Sequence, residues 1–373
     1  MFDTQWTCDG FYEARSSGRV NTPTVILSLS GAKQPRAKRA SAKLAQYTGI
    51  PDASQAKLSV RKDSRVVSLL ERYEGALLGL ACGDALGGAV EFFSRFAIER
   101  QYPDGVREIV GGGPHGLRPG EVTDDTAMAL AIARACGPDG IDLDAVVDNF
   151  VAWYCSDPKD IGITTSRALT KLAAGVPWRE IGDQMTRETP GKLAGNGAVM
   201  RTAPVALMFR QDRDALRQYS IDTARMTHPD PMATWGAVAL NQAIVHLLKG
   251  GDVATVREAA IADVAEDAVV TAIRDTAERD YADVSSDGFV LHTLGAAFWC
   301  LAHRDSAEEA IAAAVSMGDD CDTTGAVTGA LAGALYGSSA LPERWLRVLE
   351  PREELLELAR NLHQWSEADE KFE

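Results

Sequence analysis

No two of the six cysteines (Cys8, Cys82, Cys136, Cys155, Cys300, Cys321) stand in a CxxC pair, and none has histidines at zinc-site spacing. That excludes the common structural zinc sites. Most of these thiols sit in apolar helical contexts, as small core residues do in a reducing compartment. Aromatics are scarce at 7% and β-branched runs are few, whereas Ala and Gly abound, a balance that favours helix over strand. No region supports a parallel sheet or a repeat of fixed period. The apolar segment 75–93 is interrupted by Asp84 and Glu91, so it reads as a buried helix and not as a membrane span. The first thirty residues lack a charged start followed by an unbroken apolar core, so no secretion signal is expected and the chain is expected in the cytoplasm.

Positive charge is also in short supply, except at one end. The net charge is −15, yet residues 1–70 hold eleven Lys/Arg against five Asp/Glu. The remaining body is strongly acidic, which excludes nonspecific nucleic-acid binding because phosphates would be repelled. The basic leader contains one β-like run, Thr24–Leu29, followed by the segment AKQPRAKRASAK. It reads either as an arm that faces an acidic partner or as a tail. At 373 residues the chain can bury a large core, and 24% charged residues are ordinary for a soluble globular protein.

What is present in abundance is glycine at a fixed interval. Gly75, Gly79, Gly83 and Gly87 recur every four residues, as do Gly325, Gly329, Gly333 and Gly337, so each set lies on one helix face. Such faces allow close backbone approach. Acidic and hydroxyl residues open two small-residue helices: Thr123-Asp124-Asp125 the first, Asp319-Asp320-Cys321-Asp322-Thr323-Thr324 the second. A single such residue is an N-cap. Three or four at each site exceed what capping needs, and adjacent carboxylates repel unless a cation lies between them. An all-oxygen donor set points to magnesium or manganese, and two clusters point to two ions a few Å apart. With Glu91, just past the first stripe, they read as one shared site. The turn Gly195-Asn196-Gly197 can present backbone N–H groups to an anion or hydroxyl, or simply lead into a helix. His228 can touch a ligand or pack. Asp160, alone on a loop, reads as a solvated carboxylate.

The fold class expected is all-α: a single large multi-helix domain over 71–373 with an N-terminal extension, 1–70. Helices are expected at about 68–90, 124–136, 142–155, 164–174, 213–226, 231–249, 253–277, 289–303, 306–316, 322–336 and 351–366, with a long glycine-rich loop at 96–121.

Together, GALLGLACGDALGGAVEF, GEVTDDTAMAL, PKDIGITT, GNGAVMRTAPVAL, THPDPMATWGA and GDDCDTTGAVTGALAGALYG resemble the ADP-ribosylglycohydrolase family, in the family's order from Gly75 to Gly337. The resemblance implies an all-helical domain with a binuclear magnesium or manganese site. It places metal ligands on Thr123, Asp124, Asp125, Asp320, Asp322 and Thr323. It makes Glu91, Asp125, Asp160 and Asp320 the candidate catalytic carboxylates, with Asp160 facing a guanidinium. Gly112, Gly113, His115 and Gly116 would cover the diphosphate. Asn196, Gly197, Met200 and His228 would line the ADP-ribose cleft. Asp319 stands where many relatives have glycine. The activity implied is removal of ADP-ribose from arginine on proteins. Residues 1–70 lie outside this resemblance. An extended arm on such a domain is similar in architecture to immunity proteins against ADP-ribosylating toxins, with the toxin as partner. The competing readings are a dinitrogenase reductase-activating-type regulator, a hydrolase of another ADP-ribose linkage, a two-metal phosphohydrolase and a non-catalytic toxin-binding protein.

Overall fold

The computed structural model describes residues 66–367. The β-like run at 24–29 and the basic segment lie outside the described residues. In chain order the helices are α1 (Leu69–Gly87), α2 (Arg95–Gln101), α3 (Asp124–Arg134), α4 (Leu143–Tyr154), α5 (Ile163–Ala173), α6 (Trp178–Glu188), α7 (Ala203–Met208), α8 (Arg213–Arg225) and α9 (Pro231–Leu248). They continue as α10 (Val256–Ile261), α11 (Asp267–Asp275), α12 (Val290–His303), α13 (Ala307–Val315), α14 (Cys321–Tyr336), α15 (Glu343–Val348) and α16 (Arg352–Ser366). Between α3 and α4 a two-residue antiparallel ladder pairs β1 (Cys136–Gly137) with β2 (Gly140–Ile141), and it is the only sheet among the described residues. The all-α expectation is met.

Local chemistry sets most helix starts. Ser68 and Glu71 form a reciprocal capping box at α1, so the domain's first helix begins just inside the segment assigned to the extension. Asp142, Asp212 and Ser306 cap α4, α8 and α13 through their side chains. Pro231 opens α9 behind the Asp230 cap, as a first-turn proline should.

Three expectations are corrected. The segment 253–277 is not one helix: Asp263 adopts a left-handed conformation (φ 59°), which stops α10, and Glu266 caps a new start at α11. The expected loop 96–121 begins with α2, started by the Ser94 hydroxyl accepting from Ala97 N–H. The structure adds three short helices, α6, α7 and α15, to those expected.

α1 and α14 are buried almost all round and lie against each other along their glycine faces. The stripes interlock in antiparallel order: Gly75 meets Gly333, Gly79 meets Gly329 and Gly83 meets Gly325. A Cβ placed on Gly83 would lie 2.0 Å from the Gly325 carbonyl oxygen, closer than any side chain permits. The remaining helices enclose this pair in a core whose largest fully buried side chains include Trp345, Tyr73, Phe150 and Phe298. Cys82, Cys136, Cys300 and Cys321 are buried free thiols, whereas Cys155 lies at the surface at the end of α4.

Candidate metal centre and active site

Because α1 and α14 run antiparallel, the C-terminal end of α1 meets the N-terminal end of α14. A Cβ on Gly87 would lie 2.3 Å from the Asp322 Cα, so the second acidic cluster rests directly on that glycine. One turn earlier on α1, the buried Asp84 reaches the first cluster. Its carboxylate accepts the backbone N–H of Thr123 at 2.9 Å and of Thr126 at 3.0 Å, and the Thr126 hydroxyl at 2.5 Å. Asp84 therefore caps α3 from a different helix.

That cap frees Thr123, which would otherwise do the job. Neither Thr123 nor Asp320 makes a side-chain cap to its own helix. Instead the hydroxyls of Thr123 and Thr323, one from each cluster, both donate to Asp125 Oδ2, at 3.2 and 3.3 Å. Glu91, Asp320 and Asp322 bring carboxylate oxygens within 4.8 Å of one another. Asp124 accepts from Gly162 N–H at 3.3 Å. Asn196 donates to Asp320 Oδ2 at 2.9 Å and to Thr293 Oγ1 at 3.0 Å, tying the Gly195-Asn196-Gly197 turn to the second cluster. Asp319 stays outside: its side chain is exposed, its φ is 54°, and its backbone exchanges hydrogen bonds with Phe92 N–H (2.7 Å) and the Phe93 carbonyl (2.8 Å). Phe92 is likewise left-handed, at φ 62°, and this reciprocal pair fixes Glu91 beside the cluster.

The electrostatics call for a cation. Burial, and then the negative charge of neighbouring carboxylates, hold Asp124, Asp125 and Asp322 well above the usual carboxylate range. Burial pushes Asp84 up to about 6. Burial and then the Asp160 charge push Glu91 up to about 7, with His115 pulling the other way. Two buried oxygens, Asp125 Oδ1 and Asp322 Oδ1, have no hydrogen-bond partner. Orphaned anionic oxygens in an all-oxygen cage are what a hard divalent cation needs. The residues fit such an ion.

A second group stands beside it. His115 Nε2 lies 2.6 Å from Glu91 Oε2 and 3.7 Å from Asp160 Oδ1. His115 Nδ1 faces the Lys159 carbonyl at 3.3 Å, an acceptor only, so Nδ1 carries a proton and Nε2 is left to share one with Glu91. Gly112, Gly113 and Gly116 form an exposed turn closed by paired Gly112–Leu117 backbone bonds of 2.7 and 2.9 Å, all three glycines at positive φ. That turn brings His115 to the carboxylates, and Asp160, which reads in sequence as a lone surface group, is mostly covered and raised by burial.

Of the other expected residues, Gly197 and His228 touch: a Cβ on Gly197 would lie 2.5 Å from the His228 ring. Met200 packs into the hydrophobic core, in a stretch buried without a break from Asn196 to Met208. Two participants were missed. In the sequence Asp84 reads only as a break in an apolar segment. Arg201, fully buried behind the site, donates to Thr227 Oγ1 at 2.6 Å and to the Thr223 carbonyl at 3.1 Å. A lone charge amid apolar residues must find partners, and that was the available signal.

The ADP-ribosylglycohydrolase family profile matches residues 65–371. ADP-ribosylarginine hydrolase Tri1 of Serratia proteamaculans is 33% identical over 306 residues, covering 79% of each chain. ADP-ribosyl-[dinitrogen reductase] glycohydrolase of Rhodospirillum rubrum is 34% identical over 293 residues, 77% of this chain and 93% of the relative. A solved ADP-ribosylglycohydrolase-related protein complex superposes with a TM-score of 0.69 at 36% identity, over 80% of this chain and 99% of that one. With its helical architecture and its acidic clusters joined through α1 and α14, the chain belongs to the ADP-ribosylglycohydrolase family.

Proposed function

We propose that this chain is a divalent-metal-dependent hydrolase that removes ADP-ribose from arginine side chains of modified proteins. The observation that carries this reading is the convergence of Glu91 and Asp160 on His115 Nε2, at the edge of the acidic cage. Thr123, Asp124, Asp125, Asp320, Asp322 and Thr323 would hold magnesium or manganese. Ions bound there supply positive charge that polarises the ribose hydroxyls and a hydrolytic water.

The protein's own groups do the rest. Glu91, buried beside the acidic cage and within hydrogen-bond distance of His115, is placed to take and return a proton. It accepts a proton from water as the water oxygen bonds to the anomeric carbon. The carbon–nitrogen bond breaks, and the proton passes to the leaving nitrogen, so arginine departs as its guanidinium. His115, tied to the Lys159 carbonyl, keeps Glu91 oriented. Asp160 offers a carboxylate to the planar cation, a pairing that favours arginine over a neutral hydroxyl leaving group.

The test is to incubate arginine-linked and serine-linked ADP-ribosylated proteins with the enzyme, with and without magnesium, and to measure released ADP-ribose. Metal-dependent release from arginine that Asp160→Ala abolishes supports the reading. Equal rates on both linkages, or full activity of Asp322→Ala in a chelator, would overturn it. Residues 1–64 precede the matched family region, and the basic charge of that leader supports a partner role, with an ADP-ribosyltransferase toxin as the acidic-faced candidate.

A further inference from the structure

His228 is buried beside the glycine turn, and its hydrogen-bond partners leave only one arrangement of protons. Arg201 Nη2 donates to Thr227 Oγ1 at 2.6 Å, and Thr227 Oγ1 lies 2.8 Å from His228 Nδ1. A guanidinium can only donate, so the threonine oxygen is an acceptor toward Arg201. Among the described residues the threonine hydroxyl proton has no acceptor other than His228 Nδ1. Were Nδ1 protonated, two donors would converge on one hydroxyl, whose own proton would be stranded in a buried site. Nδ1 is therefore bare and Nε2 carries the hydrogen.

Nε2 has no hydrogen-bond partner among the described residues, and it faces the turn. A Cβ on Gly197 would lie 3.0 Å from it and one on Gly195 3.2 Å, so the two glycines keep the space beside it clear. The second charge that protonation would add is disfavoured: burial, and then the Arg201 guanidinium, pull His228 down to about 3. Among the described residues no carboxylate lies within ion-pair distance of Arg201, and Asp124 acts on its charge only from further away. Arg201 is braced by the Thr223 carbonyl and by the Phe150 ring, 4.9 Å from its guanidinium carbon.

We propose that Arg201 and Thr227 are positioning residues that lock His228 in its neutral Nε2–H form, so that the glycine turn presents one fixed donor to an acceptor oxygen of the ADP-ribose group. The ligand named here rests on the functional reading above, whereas the tautomer does not. Arg201 is too deeply buried for its variants to be informative, so the test uses Thr227→Val, which removes the hydroxyl at nearly constant shape, and Thr227→Ser, which keeps it.

Long-range proton–nitrogen correlation spectra of the full chain with magnesium, with His228 assigned through His228→Gln, report which ring nitrogen is protonated. Calorimetry with ADP-ribose reports binding without requiring turnover of any linkage. Wild type and Thr227→Ser are expected to show Nε2–H alone and equal affinity. Thr227→Val is expected to show a mixture of tautomers and about tenfold weaker ADP-ribose binding, as loss of one oriented hydrogen bond predicts. Nδ1–H in wild type overturns the relay. So does a Thr227→Val protein that keeps Nε2–H, or a Thr227→Ser protein that fails to restore it. Mixed tautomers with unchanged affinity overturn the proposed use of the donor. Should arginine-linked substrates prove inert while ADP-ribose affinity still follows Thr227, the function reading fails and this one stands.

Discussion

Asp84 accepts the Thr123 backbone N–H at 2.9 Å, across 39 residues of sequence, and through that bond α1 sets where α3 begins. Replacing Asp84 by Ala strands the N–H groups of Thr123 and Thr126 and the Thr126 hydroxyl. Loss of about 3 kcal/mol of stability is expected in urea unfolding, since each buried unsatisfied group costs about 1–3 kcal/mol. Magnesium affinity should fall roughly 10- to 100-fold, as when a ligand's supporting partner is removed. Unchanged metal binding by calorimetry would show that Asp84 supports the helix and not the site.

Gly83→Ala should be far worse than its single methyl suggests. The new Cβ would meet the Gly325 carbonyl at 2.0 Å, and what it strikes is backbone, which cannot rotate away. A loss of about 3 kcal/mol or more, or failure to fold, is expected. Gly137→Ala is the control: nothing lies within 4 Å of its Cβ position, so its midpoint in the same urea titration should barely move.

Adjacent aspartates should behave oppositely. Asp319 is left-handed and points to solvent, so Asp319→Gly relieves backbone strain and should leave activity intact while raising stability by about 0.5–1 kcal/mol. Asp320 groups with Glu91 and Asp322 and accepts from Asn196, so Asp320→Asn should reduce ADP-ribose release by at least about 100-fold. Comparable activity in the two variants would mean the acidic cage is misassigned.

With metal chelated, stability should depend on pH in a direction opposite to that of salt-bridged carboxylates. Glu91 is raised from 4.5 to about 7 and Asp84 from 3.8 to about 6, so between those limits the folded chain binds more protons than the unfolded one. Their contribution is then fully present at the low end of that window and lost as pH rises through the folded values. Thermal midpoints in chelator should therefore fall from pH 5.5 to 7.5 on this account, and magnesium should reverse the fall. The same slope with and without magnesium would count against a cation in the cage.

The leader gives a separate expectation. Deleting residues 1–65 should leave hydrolysis of arginine-linked substrate within about twofold, because the matched family region begins at 65. Binding to a transferase encoded nearby should be lost. Tight binding by the truncated chain would move the partner surface to the helical body.

Much of this architecture was legible because it is periodic. Glycine every fourth residue in two segments announces two helices that lie together, which brings Glu91, just past the first stripe, to the acidic cluster that opens the second. Asp84 was not legible as an anchor, since its partners are set by how α1 crosses α3 and no local spacing encodes that. Asp160 reads as exposed for the same reason: only the fold carries the His115 loop over it. The family resemblance puts Met200 at the cleft, whereas the side chain lies in the core, within a stretch that is buried throughout. The break at Asp263 shows the limit of composition, because a residue that tolerates the left-handed region can end a helix inside an otherwise helical stretch.

The glycine clasp also governs the order of events on the ribosome. Arg72 of α1 donates to the Ala334 and Leu335 carbonyls at the far end of α14, 262 and 263 residues later. The first helix of the domain to emerge thus waits for one made nearly last, and until then its apolar, glycine-striped surface has no mate. A nascent or truncated chain ending before α14 lacks Asp320, Asp322 and Thr323, and it lacks the seat that Gly87 gives them. Fragments that end before α14 should therefore show no hydrolase activity, and quality control would meet an unfinished chain as exposed helix.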